Sequence, residues 1–390
     1  PPIYTINLSL PPRQRYVQVT QDYKLILESL TYIFDDMLAS VNLPKRPFHL
    51  LSRLILHRLH SNEQTEELRG ISSVSGVRMS LLVAYNVLLD LFMGCTSGGV
   101  LVKDGGEKAM MHFRTLDWSM PELRKALVQF EFVTEEGGAV VARTIGYVGF
   151  VGVLTGVRLG LSTSLNFRPY HNNGGHLLTD LKFLTHQLLV LVGFRPSISS
   201  HLRSFLIPSL PTPNLQSSPQ SQKQTTPTPS TTPTLPDLAS LLKDFPSTLT
   251  TAAYIILSDG TQTAVLEKDR KTARTLMSTE FITATNNDEV YETKDGNDNG
   301  NGNGNVDGEG NGERRKDSGA GEGGESEDIE QAHTHGHVAL GMDPYYVKLD
   351  HLKTMITQYP IVNEQTHFVT IMAPHTGEIA WVRGFEEGEI

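Results

Sequence analysis

A chain of 390 residues is long enough for one large or two ordinary domains, and its 38% hydrophobic content is diluted by two low-complexity stretches. The formal charge of −10 is local: residues 294–330 hold eleven acidic and four basic side chains, which leaves about −3 elsewhere and no basic stripe of the kind nucleic-acid binding needs. No apolar run reaches the roughly 18 residues of a membrane span, since the best, residues 81–93, contains Asn86 and Asp90; no transmembrane segment is expected.

Residues 4–10 alternate like a strand and end at Pro11-Pro12. From 22 to 43, Leu25, Leu27, Leu30, Ile33, Phe34 and Leu38 recur at helical spacing, which predicts an amphipathic helix stopped near Pro44. Residues 48–59 repeat the pattern, with Arg53, His57 and Arg58 on a solvated basic face. Glu66-Glu67-Leu68-Arg69-Gly70 reads as a helix end. The run 81–93 reads as a helix packed into the core, with Asp90 in need of a partner.

That helix delivers the chain to Cys95, the single cysteine. It has no partner for an intramolecular disulfide, and a structural zinc cluster would need more thiols, so it is either a buried filler or a nucleophile. Val100, Leu101 and Val102 lead into a turn signal, Asp104-Gly105-Gly106, and a second strand-like run covers 109–113. A hairpin about residues 105 and 106 puts Cys95 opposite Leu116, with Arg114 and Asp117 flanking the sulfur. A thiol of pKa about 8.5 needs a positive neighbour or a base to ionise near neutrality, and Arg114 is a permanent cation. Asp117 can stabilise a protonated base. His112, two residues from Arg114, shares its strand face. A cut before Cys95 is the other source of a base, since it would free an α-amine of pKa roughly 8.

Beyond the hairpin, residues 127–133 and 139–144 read as an antiparallel pair joined by Glu135-Glu136-Gly137-Gly138. Residues 145–156 carry four glycines without the lysine of a phosphate loop, which points to bulges or close backbone packing. A strand at 161–166 and a helix at 177–192 follow. Residues 208–236, rich in Pro, Ser, Thr and Gln, read as a disordered linker, and residues 294–337 as a second insertion rich in Gly, Asn and acid. Between them order returns at 235–242, a hairpin of 253–257 with 263–267 folds about Asp259-Gly260, and 281–285 leads into Asn286. His333, His335 and His337 lack the carboxylate spacing of a metal site and read as adventitious. No metal or cofactor is expected. A helix over 346–356 and a terminal hairpin of 367–372 with 378–383 complete an α+β chain.

Four motifs fall in one order: YTINLSLPP at 4–12, Cys95-Thr96-Ser97, Arg114-x-x-Asp117, and Thr285-Asn286-Asn287-Asp288. Together they resemble the acid ceramidase and N-acylethanolamine acid amidase family, relatives of choloylglycine hydrolases, over about residues 3–208, 235–291 and 345–383. The resemblance implies an N-terminal-nucleophile hydrolase with an αββα sandwich. It is made as an inactive precursor that cuts itself between Gly94 and Cys95. Residues 1–94 would form a helical α-subunit segment that stays bound, and 95–390 the catalytic β-subunit, with linkers at about 208–236 and 294–337.

The same resemblance assigns roles. Cys95 is the nucleophile and its α-amine the base; Asp117 holds the ammonium, Arg114 orients carbonyl or thiolate, and Asn286 donates to the oxyanion. Residues 145–156 form the site floor, with Tyr147 and Asn166 as substrate-binding residues. The implied substrate is an N-acyl lipid at a membrane or micelle surface. Ceramide comes first, because the opening motif is nearer that branch, and N-acylethanolamines second. A reading from another class is a catalytically degenerate acyl-lipid-binding protein. The family reads Asn-Glu-Arg where this chain has Asn166-Phe167-Arg168. Asn173-Gly174-Gly175 resembles its Asn-Gly-Gly turn, and Glu313-Arg314-Arg315 its Asp-Arg-Arg. The resemblance implies a lysosomal, vacuole-like or secreted location, an implication weakened by the lone cysteine and the lack of a visible signal peptide, so the location is left open.

Overall fold

The computed structural model describes residues 1–29, 32, 52–88, 94–104, 106–169, 171, 177–210, 235–286 and 347–390. In chain order the elements are β1 (Ile3–Asn7), α1 (Val17–Asp22), α2 (Asn62–Ser75), α3 (Met79–Leu88), β2 (Gly94–Asp104), β3 (Glu107–Asp117), β4 (Leu127–Val133), β5 (Val140–Tyr147), β6 (Thr155–Arg158) and β7 (Leu161–Phe167). There follow α4 (Leu177–Leu191), α5 (Ile198–Leu206), α6 (Leu238–Asp244), β8 (Ala253–Ser258), β9 (Thr263–Lys268), β10 (Ala273–Ser278), β11 (Phe281–Ala284), α7 (Leu349–Met355), β12 (Thr366–Ala373) and β13 (Glu378–Gly384). Residues Pro1–Asn286 and Tyr345–Ile390 form one compact unit.

The strands make two sheets. One has eight strands in the order β1-β4-β5-β6-β7-β8-β9-β10, and the other has five in the order β11-β2-β3-β12-β13. β2 touches β7, β8 and β9, and β12 and β13 meet β6, so the sheets pack face to face. Helix α5 lies against β6 and β7, and α7 against β2, which completes the helix, sheet, sheet, helix layering expected from the sequence. β8 and β9 are buried at every position, because the sheet covers their flanks and other layers cover their faces; β8 is mostly apolar, whereas β9 also buries Thr263, Glu267 and Lys268. β10 and the parallel pairing of β1 with β4 are additions to the expected pattern. Parallel pairing joins segments more than a hundred residues apart, and no local signal announces it.

The segment before Cys95 is woven into this architecture. β1 supplies an edge strand, paired from Ile3 with Gln129 to Asn7 with Val133. The apolar run becomes α3, whose Leu82, Val83 and Ala84 are fully buried. Its Asn86 is also buried and fully engaged. The Asn86 amide donates to the carbonyls of Leu82 (2.9 Å) and Gly149 (2.8 Å), and its oxygen accepts from the Val151 N–H (2.8 Å). One polar residue thus fastens α3 to the glycine-containing stretch after β5. Within that stretch, Gly152 and Gly156 lie against Ser199 and Leu206 of α5, where a side chain would collide, as close backbone packing predicts.

One local reading fails. The sequence at 66–70 reads as a helix end, yet α2 continues through it to Ser75 and stops at Gly76, which adopts φ 78°. Gly70 is there for a different reason: a Cβ would fall 2.1 Å from the Arg13 carbonyl oxygen, so the glycine lets the helix approach the segment before α1. On the same helix Glu67 is fully buried and meets Arg203 through two bonds of 2.7 Å. Arg15 adds a third at 3.0 Å. Arg203 also donates to the Val151 carbonyl, and Arg15 to that of Leu8. Of the expected helix at 22–43, Leu27 is buried and Leu25 exposed, and most of the remainder lies outside the described residues. So do Asp90, Asn173 to Gly175, the body of both low-complexity stretches, Arg314, Arg315 and the histidines at 333–337.

Candidate active site

The hairpin forms in the anticipated register, with Gly94 paired to Asp117, Cys95 to Leu116 and Ser97 to Arg114. Because side chains alternate, Cys95 and Ser97 face the same way, and Arg114 comes across the strand pair to meet the sulfur. Arg114 Nη2 donates to Cys95 Sγ at 3.1 Å and Nη1 to the Leu154 carbonyl at 2.6 Å. Arg114 is fully buried, and among the described residues no carboxylate forms an ion pair with it. A cation held this way favours negative charge on the adjacent sulfur.

Burial pushes the Cys95 thiol upward, Arg114 pulls it down and Asp117 adds to the rise, with a net upward shift. In the intact chain the sulfur is therefore a neutral thiol, set 3.8 Å from the Leu165 carbonyl. Arg114 alone does not ionise it, so a nucleophilic role for Cys95 would need a base. His112 does not supply one. Its two ring nitrogens face Ser162 Oγ (2.9 Å) and Ser164 Oγ (2.8 Å), and burial lowers its pKa to about 3.

The backbone nitrogen of Cys95 donates to Asn286 Oδ1 at 2.9 Å, which brings a residue 191 positions away to the head of β2. Asn286 Nδ2 donates to the Phe167 carbonyl at 2.6 Å. Phe167 is half-buried and packs its ring against the main core, so the position that departs from the family pattern contributes a carbonyl rather than a carboxylate. Asn166 is fully buried and tied into the frame: its oxygen accepts from Ser97 Oγ (2.7 Å), and its amide donates to the Ala284 carbonyl (2.8 Å) and, at 3.5 Å, to those of Cys95 and Thr285. Tyr147, also fully buried, bonds His367 Nδ1 through its hydroxyl at 2.8 Å. Both residues expected at the substrate are here occupied with protein groups that hold the site together.

Asp117 stands beside the Gly94–Cys95 peptide, and a Cβ on Gly94 would lie 3.4 Å from its own. Its Oδ1 accepts from Thr366 Oγ1 at 2.6 Å. Gly94 is exposed whereas Cys95 is buried, so the bond between them lies where the chain passes from solvent into the core. Ser97 and Thr366 were not among the expected site residues. Ser97 was findable, because it sits two residues from Cys95 on the same strand face.

The buried histidines give the fold a pH dependence. His112 and His367 are both lowered to about 3 by burial and are neutral in the fold, whereas an unfolded imidazole protonates near 6.5. A depressed folded pKa means that the unfolded chain binds more protons between these values, so stability is lost as the pH falls from about 6.5 toward 3. Urea midpoints of a Cys95→Ala protein are expected to fall between about pH 7 and about pH 4.5, and His112→Asn to flatten part of that slope.

A family model described as the beta subunit of N-acylethanolamine-hydrolyzing acid amidase matches residues 1–59, on the N-terminal side of Cys95. N-acylethanolamine-hydrolyzing acid amidase of Caenorhabditis elegans is 34% identical over 176 residues, covering 42% of this chain and 47% of the relative. Acid ceramidase of Mus musculus is 29% identical over 195 residues, covering 45% of this chain and 48% of the relative. The solved structure of the Caenorhabditis elegans amidase ortholog superposes with TM-score 0.46 at 18% identity, over 75% of this chain and 100% of that one. The chain spans about half the length of the curated relatives it matches. By these sequence matches the chain is similar to members of the acid ceramidase and N-acylethanolamine acid amidase family, the family its four motifs resemble.

Proposed function

We propose that this protein hydrolyses the amide bond of an N-acylated lipid, releasing a fatty acid, after cutting its own chain between Gly94 and Cys95. The observation that carries the reading is the buried Arg114 guanidinium 3.1 Å from the thiol of the chain's single cysteine. In the cut, the thiol adds to the Gly94 carbonyl, the C–N bond breaks with the proton passing to nitrogen, and a thioester to Gly94 remains. Water then cleaves it, leaving a carboxylate on Gly94 and restoring the thiol. The product carries the missing base, because Cys95 now has a free α-amine.

In turnover that amine takes the Sγ proton, the thiolate adds to the acyl carbonyl, and Asp117 stabilises the ammonium. Collapse of the adduct breaks the amide and returns the proton to the leaving amine. A water molecule, deprotonated by the same α-amine, releases the fatty acid. Arg114 stabilises the thiolate. Asn286 donates to the oxyanion once its amide turns from the Phe167 carbonyl, a contact worth roughly 3 kcal/mol when lost.

The lipid class draws support from α4. Leu177, Leu178, Leu181, Leu184 and Leu188 are each more than half exposed, at a spacing that gathers them on one side of the helix, as docking to a membrane or micelle surface requires. Among the described residues no helix is long and apolar enough to cross a membrane. We assign ceramide as the preferred substrate and N-acylethanolamines as the alternative. Purified protein, incubated at acidic and neutral pH, is expected to yield a fragment beginning at Cys95 and then to release fatty acid faster from ceramide micelles than from N-acylethanolamine. Faster release from N-acylethanolamine reverses the substrate order. An uncut chain with no Cys95-dependent release from either would leave only acyl-lipid binding.

A further inference from the structure

Thr366 opens β12, beside β3 in the five-stranded sheet, and is paired in register with Asp117. It is fully buried. Its hydroxyl lies between two groups, accepting from the Asn363 N–H at 3.0 Å and reaching Asp117 Oδ1 at 2.6 Å. The first bond fixes the direction of the second, because an N–H can only donate and a carboxylate only accept. The hydroxyl proton therefore points at Asp117. Its short length is that of a hydrogen bond to a charged acceptor.

The neighbours of Thr366 hold the same strand end. The Gln365 carbonyl accepts the Trp118 N–H at 2.8 Å, and the His367 ring contacts the Trp118 carbonyl at 3.2 Å while its other nitrogen meets the Tyr147 hydroxyl. Thr366 itself is anchored by its N–H to the Asn363 carbonyl at 2.9 Å. The register between β12 and β3 then shifts between Thr366 and Phe368. Three consecutive residues thus hold Asp117 and Trp118, and only Thr366 touches a carboxylate of the proposed reaction.

We infer that Thr366 is a positioning residue for both the self-cut and lipid hydrolysis: its hydroxyl holds the Asp117 carboxylate beside the Cys95 nitrogen. The inference rests on the function proposed above. That nitrogen must receive a proton when the Gly94 bond breaks and must exchange one in each turnover, so a misaligned carboxylate slows both reactions without disturbing the lipid surface.

The test compares Thr366→Val, of the same shape without the hydroxyl, with Thr366→Ser, which keeps it. Activity is normalised to folded protein by circular dichroism. Thr366→Val is expected to slow the cut and lower kcat by about 10–100-fold, with KM within about twofold. Thr366→Ser is expected to restore most of the loss. In an Asp117→Asn background, Thr366→Val is expected to cost nothing further, because a residue acting through Asp117 has nothing left to hold. If the valine variant does not fold, Thr366→Ala, which introduces no new methyl beside the Asn363 N–H, takes its place in each comparison.

A wild-type protein that is neither cut nor active overturns the proposed function and this inference with it. An active wild type overturns the inference alone under any of three results. These are an unchanged kcat in the hydroxyl-less variant, a serine variant as impaired as valine, or a full additional loss in the Asp117→Asn background.

Discussion

Cys95→Ala is expected to leave the protein as one 43.1 kDa polypeptide and to lower fatty-acid release by at least about 10³-fold, the scale on which nucleophile removal acts. Both losses follow from one atom. In the proposed reactions the sulfur attacks the Gly94 carbonyl in the cut, and the base for turnover would not exist until that cut is made. The fold itself is expected to survive, because an alanine methyl fits where the thiol packs beside Leu116 and Leu165. Cys95→Ser separates the two requirements: a hydroxyl can still undergo the acyl shift, slowly, but is a far weaker nucleophile toward lipid. Intact mass and N-terminal sequencing follow the first reaction, and fatty-acid release the second. A Cys95→Ala protein that still yields a fragment starting at residue 95 would place the cut under an external protease.

Glu67→Ala is expected to destabilise the intact chain by about 3–5 kcal/mol, measured by urea unfolding in the Cys95→Ala background so that no cut intervenes. The carboxylate is fully buried and receives three charge-assisted bonds, two from Arg203 and one from Arg15. Arg203 is 4% exposed, so removal of the acid leaves its guanidinium in the interior without the carboxylate it pairs with, while Arg15, 6% exposed, keeps its ion pair with Glu63. The adjacent residue supplies the control. Glu66 pairs with Arg13 and Arg69, whose side chains are 62% and 47% exposed, and Glu66→Ala is expected to cost no more than about 1 kcal/mol. Equal midpoints for the two variants would show that water reaches the Glu67 pair.

The same two glutamates mark how far the sequence could be read. Their identities are alike and their positions consecutive, yet one turns to solvent and the other into the core, where it meets Arg203 and Arg15 from distant parts of the chain. The hairpin at Cys95 was legible for the opposite reason. Its register depends on a turn ten residues away, so Cys95, Arg114 and Asp117 were brought together by counting. Asn286 came from motif order alone. Its oxygen on the Cys95 nitrogen and its amide on the Phe167 carbonyl depend on how β7, β2 and β11 meet, which no local pattern encodes. Thr366 left no trace in the sequence, because its role arises from a register shift between two strands almost 250 residues apart.

The placement of β1 and α3, both ahead of Cys95, has a kinetic side. A strand that closes a sheet edge and a helix sunk in the core are delivered while they belong to the same chain as their partners, so their effective concentration is that of a tethered segment. A chain severed at residue 94 keeps these contacts but loses the tether. Unfolding then becomes dissociation, and recovery requires two unequal fragments to meet and a parallel strand pair to form from separate molecules. The mature form would thus be a product of history, held by the barrier to its opening more than by the ease of its return.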